Sequence, residues 1–235
     1  MPTVRLENVS KMYKNKEKHT QAVLNVNFQF EQGEFIFLTG SRGAGKSTLL
    51  DVIAGDLSPD SGAVFVDDVD LRRMGPRQRS GYKRDVGRVS AQNGLDRGQT
   101  VARNMSGKSI VERLRDREGR DSRIQKSLGL VGMSGCEQRY PVEFTASERK
   151  RIEVARAILN NPSILILDEI TDWADEDTIW DLLHLVTELN KRINMTIIMA
   201  TNSAAIVNYM RRRVITLADG KLVGDVKKGR LGYIE

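Results

Sequence analysis

Cysteine is almost absent from this sequence: Cys136 stands alone in 235 residues. An internal disulfide is thereby excluded, and the usage fits a reducing compartment. Long apolar runs are missing too. The longest, such as Ile164 to Leu167 and Ile197 to Ala200, fall well short of the roughly 20 residues that cross a bilayer. Thr3-Val4-Arg5-Leu6-Glu7 alternates like a strand, so no secretory leader is expected there, and the chain is expected in the cytoplasm. Repeats, low-complexity tracts and Pro/Gly/Ser linkers are also lacking. The length suits one large α/β domain with an inserted subdomain. Hydrophobic residues at 40% and charged residues at 29% are ordinary for a globular protein and leave that class open.

Acidic balance is lacking as well, with a net charge of +6. Arg72, Arg73, Arg77, Arg79, Lys83, Arg84 and Arg88 fall in one segment, and Lys227, Lys228 and Arg230 lie near the end. Only Tyr82 interleaves the first cluster, so a stacking platform for single-stranded nucleic acid is not supported. The basic segments are expected to form a solvated face or one near anionic lipid headgroups, with nucleic acid the lesser alternative.

What the chain does have is Gly40-Ser41-Arg42-Gly43-Ala44-Gly45-Lys46-Ser47-Thr48. The apolar run before it, 34–39, reads as a buried strand, and the run after it, 49–54, as the first turns of a helix. A P-loop requires that context. Its glycines let successive backbone N–H groups face phosphate oxygens, and the helix N-terminus adds positive potential. Lys46 is then expected at the β- and γ-phosphates, and the Ser47 hydroxyl on Mg²⁺. The motif predicts binding of a nucleoside triphosphate.

Strand patterns fill the first 70 residues: Val26, Phe28 and Phe30 alternate, and Ala63 to Val66 follow a Pro59-Asp60-Ser61-Gly62 turn. From about Thr100 to Gly135 the pattern turns helical and polar. Its sparse apolar marks are Ile110, Val111, Leu114, Ile124, Leu128 and Val131. Strands at 163–168 and 195–201, helices at 175–192 and 204–210, and a hairpin around Ala218-Asp219-Gly220 complete the chain. Such alternation around a P-loop means a largely parallel sheet covered by helices. The divisions expected are 1–92, β-rich with the P-loop; 93–160, helical; and 161–235, strand–helix with the hairpin. The strand Ile164-Leu165-Ile166-Leu167 ends in Asp168-Glu169. Open α/β sheets place ligands at such a C-terminal strand end. Asp168 is expected in the Mg²⁺ shell, and Glu169 as the base that polarises a water toward the γ-phosphate.

Phe37-Leu38-Thr39-Gly40, Gly43 to Leu50, Met199-Ala200-Thr201 and Thr216-Leu217-Ala218-Asp219-Gly220-Lys221-Leu222 join these motifs into a pattern that spans the chain. It resembles the ATP-binding cassette (ABC) ATPases, and within them the FtsE type of bacterial cell-division ATPase. The resemblance implies the P-loop ABC ATPase fold: a mostly parallel core sheet, an N-terminal antiparallel β subdomain and an inserted helical subdomain. It implies ATP and Mg²⁺ as cofactors, Tyr13 stacking on adenine, and Gln92 sensing Mg²⁺ and the γ-phosphate. It places Thr145 and Ser147 over the ATP of a second subunit in an ATP-dependent dimer, homo- or heteromeric. It implies docking on an integral membrane protein of FtsX type beside the segment entered at Thr100 to Asn104, and Asp175 in the loop after the second motif. ATPase subunits of lipoprotein or peptide exporters share much of this pattern.

The chain departs from that family at three places. The signature segment is Phe144-Thr145-Ala146-Ser147-Glu148, with a Cβ where the family has two glycines. Asn202 holds the position of the switch histidine, and neither His19 nor His184 is placed to replace it. Ile170 and Ala174 replace the family's Pro and Leu in 170–175. These changes predict intact MgATP binding, looser closure and slow or partner-dependent hydrolysis, since one missing oriented donor costs ~10²–10³ in rate. The alternative is a nucleotide-gated binding module with negligible turnover.

Overall fold

The computed structural model describes residues 3–15, 18–90, 94–106, 117–170, 176–229 and 231. Two long strands open the chain, β1 (Val4–Asn15) and β2 (Lys18–Phe30), paired antiparallel. β3 (Phe35–Thr39) and helix α1 (Lys46–Ile53) follow. β4 (Ser61–Val66) and β5 (Val69–Asp70) then return to complete an antiparallel sheet of order β2-β1-β4-β5.

Helix α2 (Pro76–Arg84) leads into β6 (Val86–Ser90). A helical stretch comes next: α3 (Val101–Met105), α4 (Arg117–Leu130) and α5 (Ala146–Ala157). The chain closes with β7 (Ile164–Asp168), α6 (Glu176–Ile193), β8 (Thr196–Ala200), α7 (Ala204–Met210) and the hairpin β9 (Arg213–Ala218) and β10 (Lys221–Val226). The second sheet has the order β10-β9-β3-β8-β7-β6, parallel throughout except for β10 at its edge.

β3, β7 and β8 are buried at every residue, as strands covered on both faces must be. Their side chains alternate between two cores. Phe35, Phe37, Leu165 and Leu167 join the cluster that holds α5 and α6. Ile36, Leu38, Ile164 and Ile166 join the cluster of α1 and the antiparallel sheet. Helix α1 is thus held between two sheets, with the P-loop at the C-terminal edge of the second. Val101, Met105, Ile124, Leu128 and Ile152 belong to the first cluster, so the helical stretch shares its core with the central sheet.

The α/β architecture with a mostly parallel sheet and an antiparallel N-terminal sheet matches the expected fold class. Helix α2 is an addition: the sequence reading gave 76–84 no element. Its signals are Pro76 in the first turn and Gln78, whose Oε1 accepts from the Gly75 N–H at 3.2 Å. Arg88 corrects the reading of the basic segment as one open face. It is half-buried on β6, and its guanidinium reaches inward to Asp51 of α1 and Asp168 of β7. A half-buried charge, even on an edge strand, needs such partners. Arg79 donates to the Leu71 and Arg72 carbonyls, and Lys83 pairs with Asp56, so part of that cluster is internally spent.

On α6 the buried stripe is Leu182, Leu183, Leu185, Val186 and Leu189, while His184 is exposed. Gln92, Ile110, Val111, Leu114, Arg230 and the segment 171–175, Asp175 included, lie outside the described residues, as does the side chain of His19.

Candidate nucleotide site

Glycine is required at two points of the loop between β3 and α1. Gly40 has φ +146° and Gly45 φ +99°. A Cβ on Gly40 would stand 2.3 Å from the Leu217 carbonyl oxygen, and one on Gly45 1.9 Å from that of Ala22. Gly43 differs, because a Cβ there would meet nothing within 4 Å. It faces open space, the room an incoming phosphate needs. Ser41 and Arg42 are exposed, while Ala44 is buried and its N–H donates to the Ser41 carbonyl at 3.1 Å. Helix α1 starts with no side-chain cap, leaving its N-terminal potential for a ligand.

Lys46 is 3% exposed. Its Nζ donates to the carbonyls of Gly40 at 2.8 Å and Ser41 at 3.2 Å, and lies 3.5 Å from Glu169 Oε1. Glu169 follows β7 with φ +51°, a left-handed conformation that costs a non-glycine residue free energy and recurs at functional sites. One residue earlier, Asp168 Oδ1 accepts from Ser47 Oγ at 3.2 Å, and Asp168 Oδ2 accepts from Arg88 Nη2 at 3.0 Å. The other guanidinium nitrogen of Arg88 pairs with Asp51. Burial disfavours the Arg88 cation, yet the carboxylates of Asp51 and Asp168 outweigh it and raise its pKa above the ordinary value.

Asn202, after β8, accepts the Gly40 N–H on Oδ1 at 3.3 Å. Its carboxamide nitrogen keeps two donors on the same group. Tyr13 on β1 sits beside the helix start, with its hydroxyl 3.4 Å from Thr48 Oγ1, and is 43% exposed. The structure therefore brings together Tyr13, Gly40 to Thr48, Asp168, Glu169 and Asn202. Thr145 and Ser147 make their bonds elsewhere. Thr145 caps α5, with Oγ1 accepting from the Glu148 N–H at 3.2 Å and its own N–H donating to Glu148 Oε2 at 2.8 Å. Ser147 Oγ donates to Asp181 Oδ2 on α6 at 2.7 Å. Gln92 was the expected third member of the metal shell and lies outside the described residues.

Arg88 and Asp51 are the members that sequence reading missed. Asp51 stands four residues after Ser47 and so shares its face of α1. An arginine inside Val86-Gly87-Arg88-Val89 was itself a signal, because a cation centred on a strand of the parallel sheet must find carboxylates. Ser47 and Asp168 offer a hydroxyl and a carboxylate, the hard oxygen donors Mg²⁺ takes. No cluster of three or more His, Cys, Asp or Glu that could hold a metal occurs among the described residues.

Comparison with known proteins agrees with this geometry. The family model described as ABC transporter matches residues 23–172. The methionine import ATP-binding protein MetN 2 of Rhodococcus jostii is 34% identical over 222 residues, covering 94% of this chain and 65% of the relative. The chain thus spans slightly under two thirds of that relative's length. The cell division ATP-binding protein FtsE of Streptococcus pneumoniae is 34% identical over 234 residues, covering 99% of each. Among solved structures, the dimeric post-hydrolysis state of the ATP-binding cassette MJ0796 bound to ADP and Pi superposes with a TM-score of 0.82. It is 27% identical and covers 97% of this chain and 100% of that one. With this fold and this loop, the chain belongs to the ABC transporter family as one of its ATP-binding cassettes.

Proposed function

We propose that the chain is the ATP-binding subunit of a membrane-associated ABC complex of FtsE type, coupling ATP binding and slow hydrolysis to an integral membrane partner of FtsX type. The observation that carries the ATPase reading is the meeting of the start of α1 with the end of β7: Ser47 on Asp168, and Lys46 beside Glu169. In this reading Lys46 exchanges the Gly40 and Ser41 carbonyls for phosphate oxygens, and the loop amides around Gly43 line the phosphates. Tyr13 offers its exposed ring to adenine. Ser47 and Asp168 would hold Mg²⁺, with Gln92 the further candidate. That ion would neutralise the phosphates and withdraw charge from the scissile bond. Glu169 accepts a proton from the attacking water, and Asn202 Nδ2 can donate to a γ-phosphate oxygen.

Thr145 and Ser147 belong to the partner-facing half. Two subunits in head-to-tail pairing would place each signature segment over the other's ATP. The dimeric MJ0796 cassette supports pairing of this kind. No helix among the described residues is long and apolar enough to cross a membrane, so coupling would come through a partner. The FtsE relatives support the cell-division reading, and the MetN relatives support an importer subunit. A separate reading, a nucleotide-gated module without turnover, is favoured by Asn202 and by the Ser147 hydroxyl committed to Asp181.

Steady-state ATP hydrolysis, with ATP affinity measured in parallel, separates enzyme from module. Turnover that disappears in Glu169→Gln while affinity survives supports the ATPase. Binding without turnover above that background, with the membrane partner present, supports the module. Copurification with an FtsX-type rather than an importer-type membrane protein tests the coupling.

A further inference from the structure

Arg88 gives the phosphate site a cation of its own. Its guanidinium stands among three carboxylates: Asp168 at 3.0 Å, Asp56 at 3.9 Å and Asp51, which it also contacts directly. Asp168 is the carboxylate that shares Ser47 with the expected metal position, and Arg88 occupies its second oxygen. The other charges here are Lys46 beside Glu169, and Lys83, which holds Asp56 at 3.0 Å. Taking Arg88 away would strip Asp51 and Asp168 of their cation and leave four carboxylates, Asp51, Asp56, Asp168 and Glu169, facing only Lys46 and Lys83, a field that repels free ATP and attracts a divalent cation.

We infer that Arg88 is a resident counter-charge of the nucleotide site, which lets ATP bind with a reduced requirement for a divalent cation. This rests on the nucleotide reading of the site and concerns the form of ligand accepted, ATP⁴⁻ as against MgATP²⁻. Two effects act in one direction. The guanidinium offsets carboxylate repulsion toward the bare phosphates. It also competes with Mg²⁺ for Asp168, so the metal adds less to affinity than at an unoccupied carboxylate.

The test is the ratio of two dissociation constants for ATP, one in EDTA and one in saturating Mg²⁺, for the wild-type chain, Arg88→Gln and Arg88→Lys. Equilibrium dialysis or calorimetry reads it without turnover. Because the ratio is taken within each protein, a moderate loss of stability cancels. Arg88→Gln is expected to raise the ratio about tenfold, the size of one unit charge acting across a partly buried site. Arg88→Lys keeps the charge and is expected to stay within about threefold of wild type. Equal ratios in wild type and Arg88→Gln would overturn the inference. So would a loss of affinity that is the same with and without Mg²⁺, because a merely positioning role predicts that. A wild-type chain that bound ATP in neither buffer would instead remove the nucleotide reading, and this inference with it.

Discussion

The P-loop half and the signature half of the molecule use small and hydroxylic residues in opposite ways. In the first, Gly40 and Gly45 leave no space for a side chain, and Ser47 turns its hydroxyl to the carboxylate at the end of β7. In the second, Ala146 and Ser147 stand at the start of α5, and the hydroxyls of Thr145 and Ser147 serve the cap and Asp181. One half is arranged around a ligand, the other around its own helix. The difference separates binding from closure: a chain so divided should hold nucleotide well and press on a second nucleotide poorly.

The strongest way to break the contrast is at Gly45. Gly45→Ala puts a Cβ into the Ala22 carbonyl at a φ that L-residues rarely adopt, so the loop must rebuild. Stability should fall by at least about 1–3 kcal/mol, and ATP affinity should be lost. Thermal unfolding and nucleotide titration check both. A variant that melts and binds like wild type would show that the loop is not under this constraint.

Asn202→His sharpens the contrast from the other side. A histidine there could present a cation to the γ-phosphate, and kcat should rise by roughly tenfold or more if the missing donor limits the rate. Unchanged kcat would move the limit to closure. The double change Ala146→Gly with Ser147→Gly then becomes the informative one. It removes two Cβ atoms and the Asp181 bond, so stability should drop by about 1–2 kcal/mol while ATP-dependent dimerisation strengthens. Analytical ultracentrifugation with and without ATP reads the second effect. Weaker dimerisation would mean that the Ser147–Asp181 bond supports the interface.

The P-loop and the strand ending at Asp168 were legible because each is local: a glycine spacing, an apolar run and an adjacent polar residue. The same holds for the hairpin at Asp219-Gly220 and for α7. The places of Thr145 and Ser147 were named from resemblance, but their hydroxyls' partners were not. Asp181 is 34 residues from Ser147, and only the packing of α5 against α6 joins them. Arg88 was misassigned for the same reason. In sequence it is the last of a run of basic residues, whereas in space its β6 partner is β7, with Ser90 opposite Asp168. Charge clustering along a chain says nothing about which strand face a residue takes. Helix α2 was hidden by composition, since its charged residues left only Tyr82 buried.

The smallest expected effect concerns the cap itself. Glu148 accepts the Thr145 N–H, and that bond, with the Thr145 side chain, holds its carboxyl below the ordinary value of 4.5. A depressed folded-state pKa stabilises the protein above the ordinary value and loses that contribution as pH falls through the folded one. Glutamine keeps the capping geometry without a titrating proton. Glu148→Gln should therefore be slightly less stable than wild type near neutrality, lose less stability between about pH 5 and about pH 3, and converge on wild type below that. Denaturant unfolding at a series of pH values measures it, and parallel curves would mean that α5 draws nothing from the charge on Glu148. Because the signature segment begins at this cap, a flatter acid limb in Glu148→Gln would also show that the charge on Glu148 helps hold the segment onto its own helix.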